Sequence, residues 1–195
     1  VSTCPNAAAY EEEGATTVND ASTAVGDTVV VTASGAALNV GDIISFSTTA
    51  ATNDYDDGEQ YRVTNISTND ITIVQHPRGT GGLKRALTDG CNIRRRWKYY
   101  DSVDGAPGTS PFVSNRNGAN DEIHVVVIDE DGGISGVPGT VLEAFSNLSK
   151  ASDAKTPQGD INYYPEVIYN KSQHIYWTKH NSSGSNWGNA ASGTT

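Results

Sequence analysis

Two acidic stretches and one basic–aromatic strip hold the residue types that could do chemistry in this sequence. Asp129-Glu130-Asp131-Gly132-Gly133 packs three carboxylates into a glycine-ended turn. Carboxylates at alternate positions are the raw material of a calcium loop, which also needs a glycine at position 6 and a bidentate Glu at position 12. Counted from Asp129, position 5 is Gly133, position 6 is Ile134 and position 12 is Thr140, so the pattern fails at three places. A solvated acidic turn capping a strand is the better expectation. Asn53-Asp54-Tyr55-Asp56-Asp57-Gly58 reads the same way. Arg94-Arg95-Arg96-Trp97-Lys98-Tyr99-Tyr100 mixes cations with rings, a combination that can stack on single-stranded bases. On a chain of net charge -10 it is better read as a strand whose basic face meets acidic patches on a neighbouring subunit.

No other catalytic constellation is present. No Ser lies in a G-x-S-x-G elbow, and no phosphate loop or dinucleotide fingerprint occurs. The run Glu11-Glu12-Glu13 is expected to be solvated. His76, His124, His174 and His180 are scattered, with no pair at zinc-site spacing. Cys4 and Cys91 read as two free thiols. Asn-x-Ser triplets at Asn65, Asn147, Asn170 and Asn181 have no secretory context around them. The expectation is a protein that is not an enzyme, with no catalytic, cofactor-binding or metal-binding residues and no cofactor. The acidic balance argues against nucleic acid as a partner, and no apolar run approaches the ~20 residues that span a bilayer. The absence of Met from the whole sequence suggests a portion of a longer protein.

The elements that must position these residues divide by composition. Residues 1–15 read as an entering strand or linker. Residues 16–74 form a small all-β module, because β-branched runs alternate with Gly/Asp/Asn turns: Thr28–Thr32, Ile43–Phe46, Tyr61–Ile66 and Ile71–Val74. A small antiparallel barrel or sandwich fits that rhythm. Residues 75–90, with Pro77, Gly79, Gly81 and Gly82, read as a connection. Residues 91–180 read as α/β. Asn92–Tyr100 is a candidate strand and His124–Ile128 a buried one. Gly139–Lys150 has helical spacing, with Val141, Leu142, Phe145 and Leu148 on one face and Thr140/Glu143 as a capping box. Asn162–Lys171 suggests a short helix. His174–Trp177 suggests a second buried strand, parallel to the first through a right-handed crossover. Residues 181–195 read as a polar tail. The fold class is therefore α+β: a small antiparallel β-barrel or sandwich module followed by a partial strand–helix–strand domain.

The second half also resembles a known family. The strand and turn ending Ile128-Asp129-Glu130-Asp131-Gly132, the segment Gly139-Thr140-Val141-Leu142-Glu143 with Phe145, Leu148-Ser149 and Ala151-Ser152-Asp153-Ala154-Lys155, and then Tyr163-Tyr164, Val167-Ile168, Ser172 and Ile175-Tyr176-Trp177, are similar to the tail sheath proteins of contractile bacteriophages. Trp97-Lys98-Tyr99-Tyr100 and Gly105-Ala106-Pro107-Gly108-Thr109-Ser110 extend the likeness, which covers roughly residues 94–180. The resemblance implies a structural subunit located in the virion tail and assembled in the host cytoplasm. Many copies would form a helical homopolymer around the tail tube and contract to drive it through the host envelope. It also implies that contacts to tube and baseplate lie in portions outside this sequence, since proteins of that kind are several times longer. The alternative from the residues alone is a secreted carbohydrate-binding or adhesion β-module, which Thr/Ser/Gly-rich strands and exposed Trp and Tyr would suit.

Overall fold

The computed structural model describes residues 1–55, 58–179 and 190–193. The chain is mixed, with two antiparallel sheets and a few short helices, the α+β class read from its sequence. It separates into two compact units: Glu11–Lys98, and a discontinuous unit made of Val1–Tyr10 with Tyr99–Thr195. The observed boundaries differ from the compositional ones at both ends of the β module. Residues 11–15, read as entering strand or linker, belong to a strand of its sheet, and so do residues 91–96, assigned above to the α/β part.

The Glu11–Lys98 unit is one six-stranded sheet. Its strands are β2 (Glu11–Thr17), β3 (Val29–Val31), β4 (Ile43–Ala50), β5 (Tyr61–Ser67), β6 (Asp70–Gln75) and β7 (Cys91–Arg96), in the order β2-β7-β4-β5-β6-β3. Four of the six were legible as β-branched runs. The period of two puts Ile44/Phe46, Tyr61/Val63, Ile71/Ile73 and Cys91/Ile93 on one face. With Val18, Val30, Leu38, Leu83 and Leu87 they form a single buried cluster. A lone bridge between Val18 and Thr32 joins the two ends of the sheet, which curls but does not close into a barrel. The stretch between β6 and β7 has no regular structure, yet it is more than a connection. Leu83 and Leu87 plug the core, and the Leu83 amide and carbonyl bond the backbone at Asp27 and Gly26.

The second unit is built on a three-stranded sheet of β1 (Ser2–Cys4), β8 (Glu122–Asp129) and β9 (Thr140–Ser149), with β8 central. Two helical turns and one longer helix surround it: α1 (Ala7–Tyr10), α2 (Pro111–Ser114) and α3 (Tyr164–Lys171). Alternation along β8 sends Ile123 and Val125 to one face, where Leu148, Tyr164, Val167 and Ile168 bury them. His124 and Val126 go to the other.

Here the expected strand–helix–strand order is corrected. Gly139–Lys150 is not a helix: Thr140–Ser149 is a strand, hairpin-paired to β8. Thr140 and Glu143 form no capping box; Glu143 instead accepts from the Ser172 hydroxyl and the Gln173 amide. Two bulges explain the misleading spacing. Ile123 and Val125 face Leu148 and Phe145, so two residues of β8 span three of β9; the same happens between Val127 and Ile128. Each bulge adds a residue to the apolar period, turning two into three. Nor is His174–Trp177 a strand, so it makes no parallel pair with β8. Ile175 and Trp177 still pack against the α3 cluster. The helix expected within Asn162–Lys171 is α3. The expected tail, residues 181–195, lies almost wholly outside the described residues.

Phe145 is only partly buried at the margin of its cluster, whereas Phe46 is 2% exposed in the centre of the larger core. Phe46→Ala should therefore cost about 3–5 kcal/mol and Phe145→Ala clearly less. Chemical denaturation of the two variants checks the order. Gly82→Ala should also destabilise, because a Cβ there would stand 2.2 Å from the Asp27 carbonyl oxygen, a backbone atom that cannot swing away.

Candidate functional site

The basic strip is placed on β7, and its partners are in its own chain. Antiparallel register sets Arg96 opposite Glu11 and Arg95 opposite Glu12. Arg96 Nε donates to Glu11 Oε2 at 2.8 Å, and Arg95 Nη2 donates to Glu12 Oε2 at 2.8 Å. Arg94 lies 3.6 Å from Glu11 and 4.5 Å above the Tyr55 ring. The acidic partners of this strip therefore lie in its own chain; of the run expected to be solvated, Glu12 and Glu13 are exposed and Glu11 is half-buried against Arg94 and Arg96. The sequence placed the two charge runs eighty residues apart, with nothing to indicate that they pair.

The acidic turn is also internally engaged. Asp129 ends β8, and its Oδ2 accepts from the Ile134 amide, the Ser135 amide and the Ser135 hydroxyl at 2.6–3.0 Å. The Ser135 amide foremost holds this carboxyl below the usual carboxylate range. Asp129 is a loop anchor, with its inward oxygen committed to the turn. In the other acidic stretch, Asp54 accepts from Thr48 and Asn53 from Asn92, while Asp56 and Asp57 lie outside the described residues. No cluster of three His, Cys, Asp or Glu side chains suited to a metal occurs among the described residues. Cys4 and Cys91 are buried thiols that are not joined in a disulfide.

Sequence reasoning missed a buried polar centre around Asp121, at the start of β8. Its Oδ1 accepts from the Ser110 amide, and its Oδ2 from the hydroxyls of Ser110 (2.9 Å) and Ser149 (2.5 Å). Each hydroxyl, its proton committed to Asp121, accepts in turn. Ser110 takes the Val113 amide and so caps α2; Ser149 takes the Ala151 amide. The Lys150 amide donates to the Asp121 carbonyl. Lys150 Nζ donates to the Pro5 carbonyl, and burial pushes its ammonium pKa down against the pull of Asp121. A Ser–Asp–Lys grouping invites a catalytic reading. However, Asp121 and Ser149 are fully buried, Ser110 is nearly so, and none of the three lines the apolar groove described next. The cluster ties three backbone segments together. Only the Ser110-Pro111 pair, a cap followed by proline, hinted at it.

The surface feature with the geometry of a binding site is an apolar groove of about 440 Å³ beside the edge strand β1. Ile123, Val125, Tyr164, Ile168, Ile175 and Trp177 line it, and Thr3 and Val1 extend it along β1. Tyr176, 72% exposed, stands at its rim. Comparison with protein-family models, curated proteins and solved structures finds no match to the chain.

Asp121→Ala should destabilise by at least about 3 kcal/mol, since it strands two buried hydroxyls and an amide. Asp121→Asn, which keeps the shape, should recover part of that loss in thermal melts. For Asp129, a folded value below 3.8 means its contribution is complete above that pH and fades as pH falls through the folded value. Protection of the Ile134 and Ser135 amides should accordingly hold from pH 6 to 4 and drop toward pH 2.

Proposed function

We propose that this chain is part of a subunit of a contractile bacteriophage tail sheath, a structural protein that polymerises helically around a tail tube. The observation that supports this reading best is the apolar groove beside edge strand β1. A three-stranded sheet with a short edge strand and an open greasy channel along it has the form of a layer completed by another strand. The occupant that fits is an extended segment of a second copy, with alternate side chains seated against Ile168, Ile175 and Tyr164 while its backbone follows β1. Heterologous contacts of this kind do not close on themselves, and their repetition generates a helix of subunits. The sequence likeness over residues 94–180 points the same way. The strand–helix order expected with it is revised to a hairpin and a later helix.

In this reading the protein works by packing, not by chemistry. The carboxylates and hydroxyls that could have been catalytic are consumed in anchoring loops. Contraction would be a rigid-body change between two subunit packings. The Glu11–Lys98 unit would be a decoration, inserted between β1 and the rest of the discontinuous unit. Its partners would be other sheath copies and, through portions beyond these residues, tube and baseplate.

The test is to express the full reading frame that encodes this sequence and image the product by negative-stain electron microscopy. Tubes with helical order are expected. Deleting residues 11–98, with the ends joined by a short linker, should leave those tubes thinner yet intact. A product that stays dispersed at every concentration contradicts the proposal, as would glycan binding by the chain alone, the outcome belonging to the adhesion alternative.

A further inference from the structure

His124 is fully buried in the middle of β8, and both its ring nitrogens are committed to backbone. Nδ1 lies 3.0 Å from the Asn147 amide, which can only donate, so Nδ1 must be the unprotonated nitrogen. Nε2 then carries the proton and donates to the Gly105 carbonyl at 2.8 Å. The Asn147 amide needs this partner. Asn147 sits at the β9 bulge with φ of 53°, where the strand ladder skips a residue. One imidazole thus holds a bulge on one side and the segment before α2 on the other.

We propose that His124 is an acid-released latch: neutral, it ties the β9 bulge to the Gly105 segment, and protonated, it must let go of the Asn147 amide. A proton on Nδ1 would point at another N–H, and no rotation of the ring restores both bonds, since an imidazolium has two donors and no acceptor. The surroundings decide when this happens. On β8 itself, Glu122 is the nearby charge, its Oε2 accepting from the Gly108 amide and from Asn147 Nδ2. From β1, Cys4 lies opposite His124, its thiol donating to the Asn6 carbonyl. From α1, the Tyr10 ring meets the imidazole edge-on at 6.3 Å, its hydroxyl donating to the Tyr100 carbonyl. Asp104, beside Gly105, is exposed. Past β9, Lys150 binds Pro5. Burial is the largest influence and lowers the His124 pKa; the Gly105 bond and Glu122 oppose it without reversing it.

The sign follows directly. The closed state prefers neutral His124, so the latch holds above 6.5, the ordinary value regained on opening, and weakens as pH falls below it. Between that value and the lower closed-state one, opening takes up a proton and becomes about tenfold easier for each pH unit.

The experiment is hydrogen exchange by NMR on the whole chain from pH 8 to 5, corrected for intrinsic exchange, with the imidazole nitrogens recorded in parallel. At pH 8 the Nε2–H tautomer is expected. Below pH 6.5 the Asn147 protection factor should fall, while the Lys150 amide, bonded to the Asp121 carbonyl, stays protected. His124→Gln, which cannot titrate, should show no such slope. Should that variant fail to fold, the wild-type titration decides by itself. An Nδ1–H tautomer, a flat Asn147 protection factor, or Asn147 and Lys150 opening together would overturn the proposal.

Discussion

The two-unit architecture depends on one geometric constraint: Glu11 and Arg96 must lie side by side. The chain completes β1 and α1, departs into the Glu11–Lys98 unit, and returns at Tyr99 to build β8 and β9. β1 can join β8 only if that excursion begins and ends at one place. The β2–β7 pair provides this, with the first and last residues of the two strands directly opposite. An inserted unit with adjacent ends imposes little entropy on its host, because the break it makes is closed by its own sheet. The Glu11–Arg96 and Glu12–Arg95 bonds are partly exposed and contribute modestly to stability. Their larger effect is on register: a one-residue slip would put Arg against the wrong partner and turn Ile93 out of the core.

The discontinuous unit meets a different difficulty. Its principal apolar cluster is small, centred on Ile123, Val125, Leu148, Tyr164, Val167 and Ile168. Much of its backbone is loop, whose amides need partners. Buried polar side chains supply them. Asp121 joins the cap of α2 to the end of β9, His124 bridges the bulge and the Gly105 segment, and Asp129 shapes the hairpin turn. Asp121 and His124 serve groups at least eleven residues away, and Asp129 serves amides within its own turn. That explains why these polar residues are buried.

Legibility in the sequence followed the same division. β3, β5 and β6 alternate over their core-facing residues, β4 is buried on both faces over its first five residues, and the β-branched runs announced all four. β2, with the sequence Glu-Glu-Glu-Gly-Ala-Thr-Thr, has no such alternation; its place in the sheet comes from pairing with β7, a non-local fact. β9 was disguised by its two bulges, which spaced Leu142, Phe145 and Leu148 three apart as a helix would. α3 was expected within Asn162–Lys171, where Pro165 opens it and apolar residues follow. Apart from the Ser110-Pro111 pair, the Asp121 and His124 centres had no local signature, since their partners lie between 11 and 28 residues away. The internal anchoring by Asp129 was not visible either, because it arises only when Ser135 folds back onto the end of β8.

The chain combines an inserted β unit with a three-stranded sheet laced by buried polar groups and flanked by an apolar groove. The proposed role in a sheath rests on the second unit being a body in its own right, assembled across the insertion. The most direct measurement excises residues 11–98, joins Tyr10 to Tyr99 through a short glycine–serine linker, and records amide protection over β8 and β9. Retention of protected Val125, Val126 and Lys150 amides with a cooperative melt is the predicted result. A chain that is unfolded without the insert, under conditions where the complete one is folded, would contradict it.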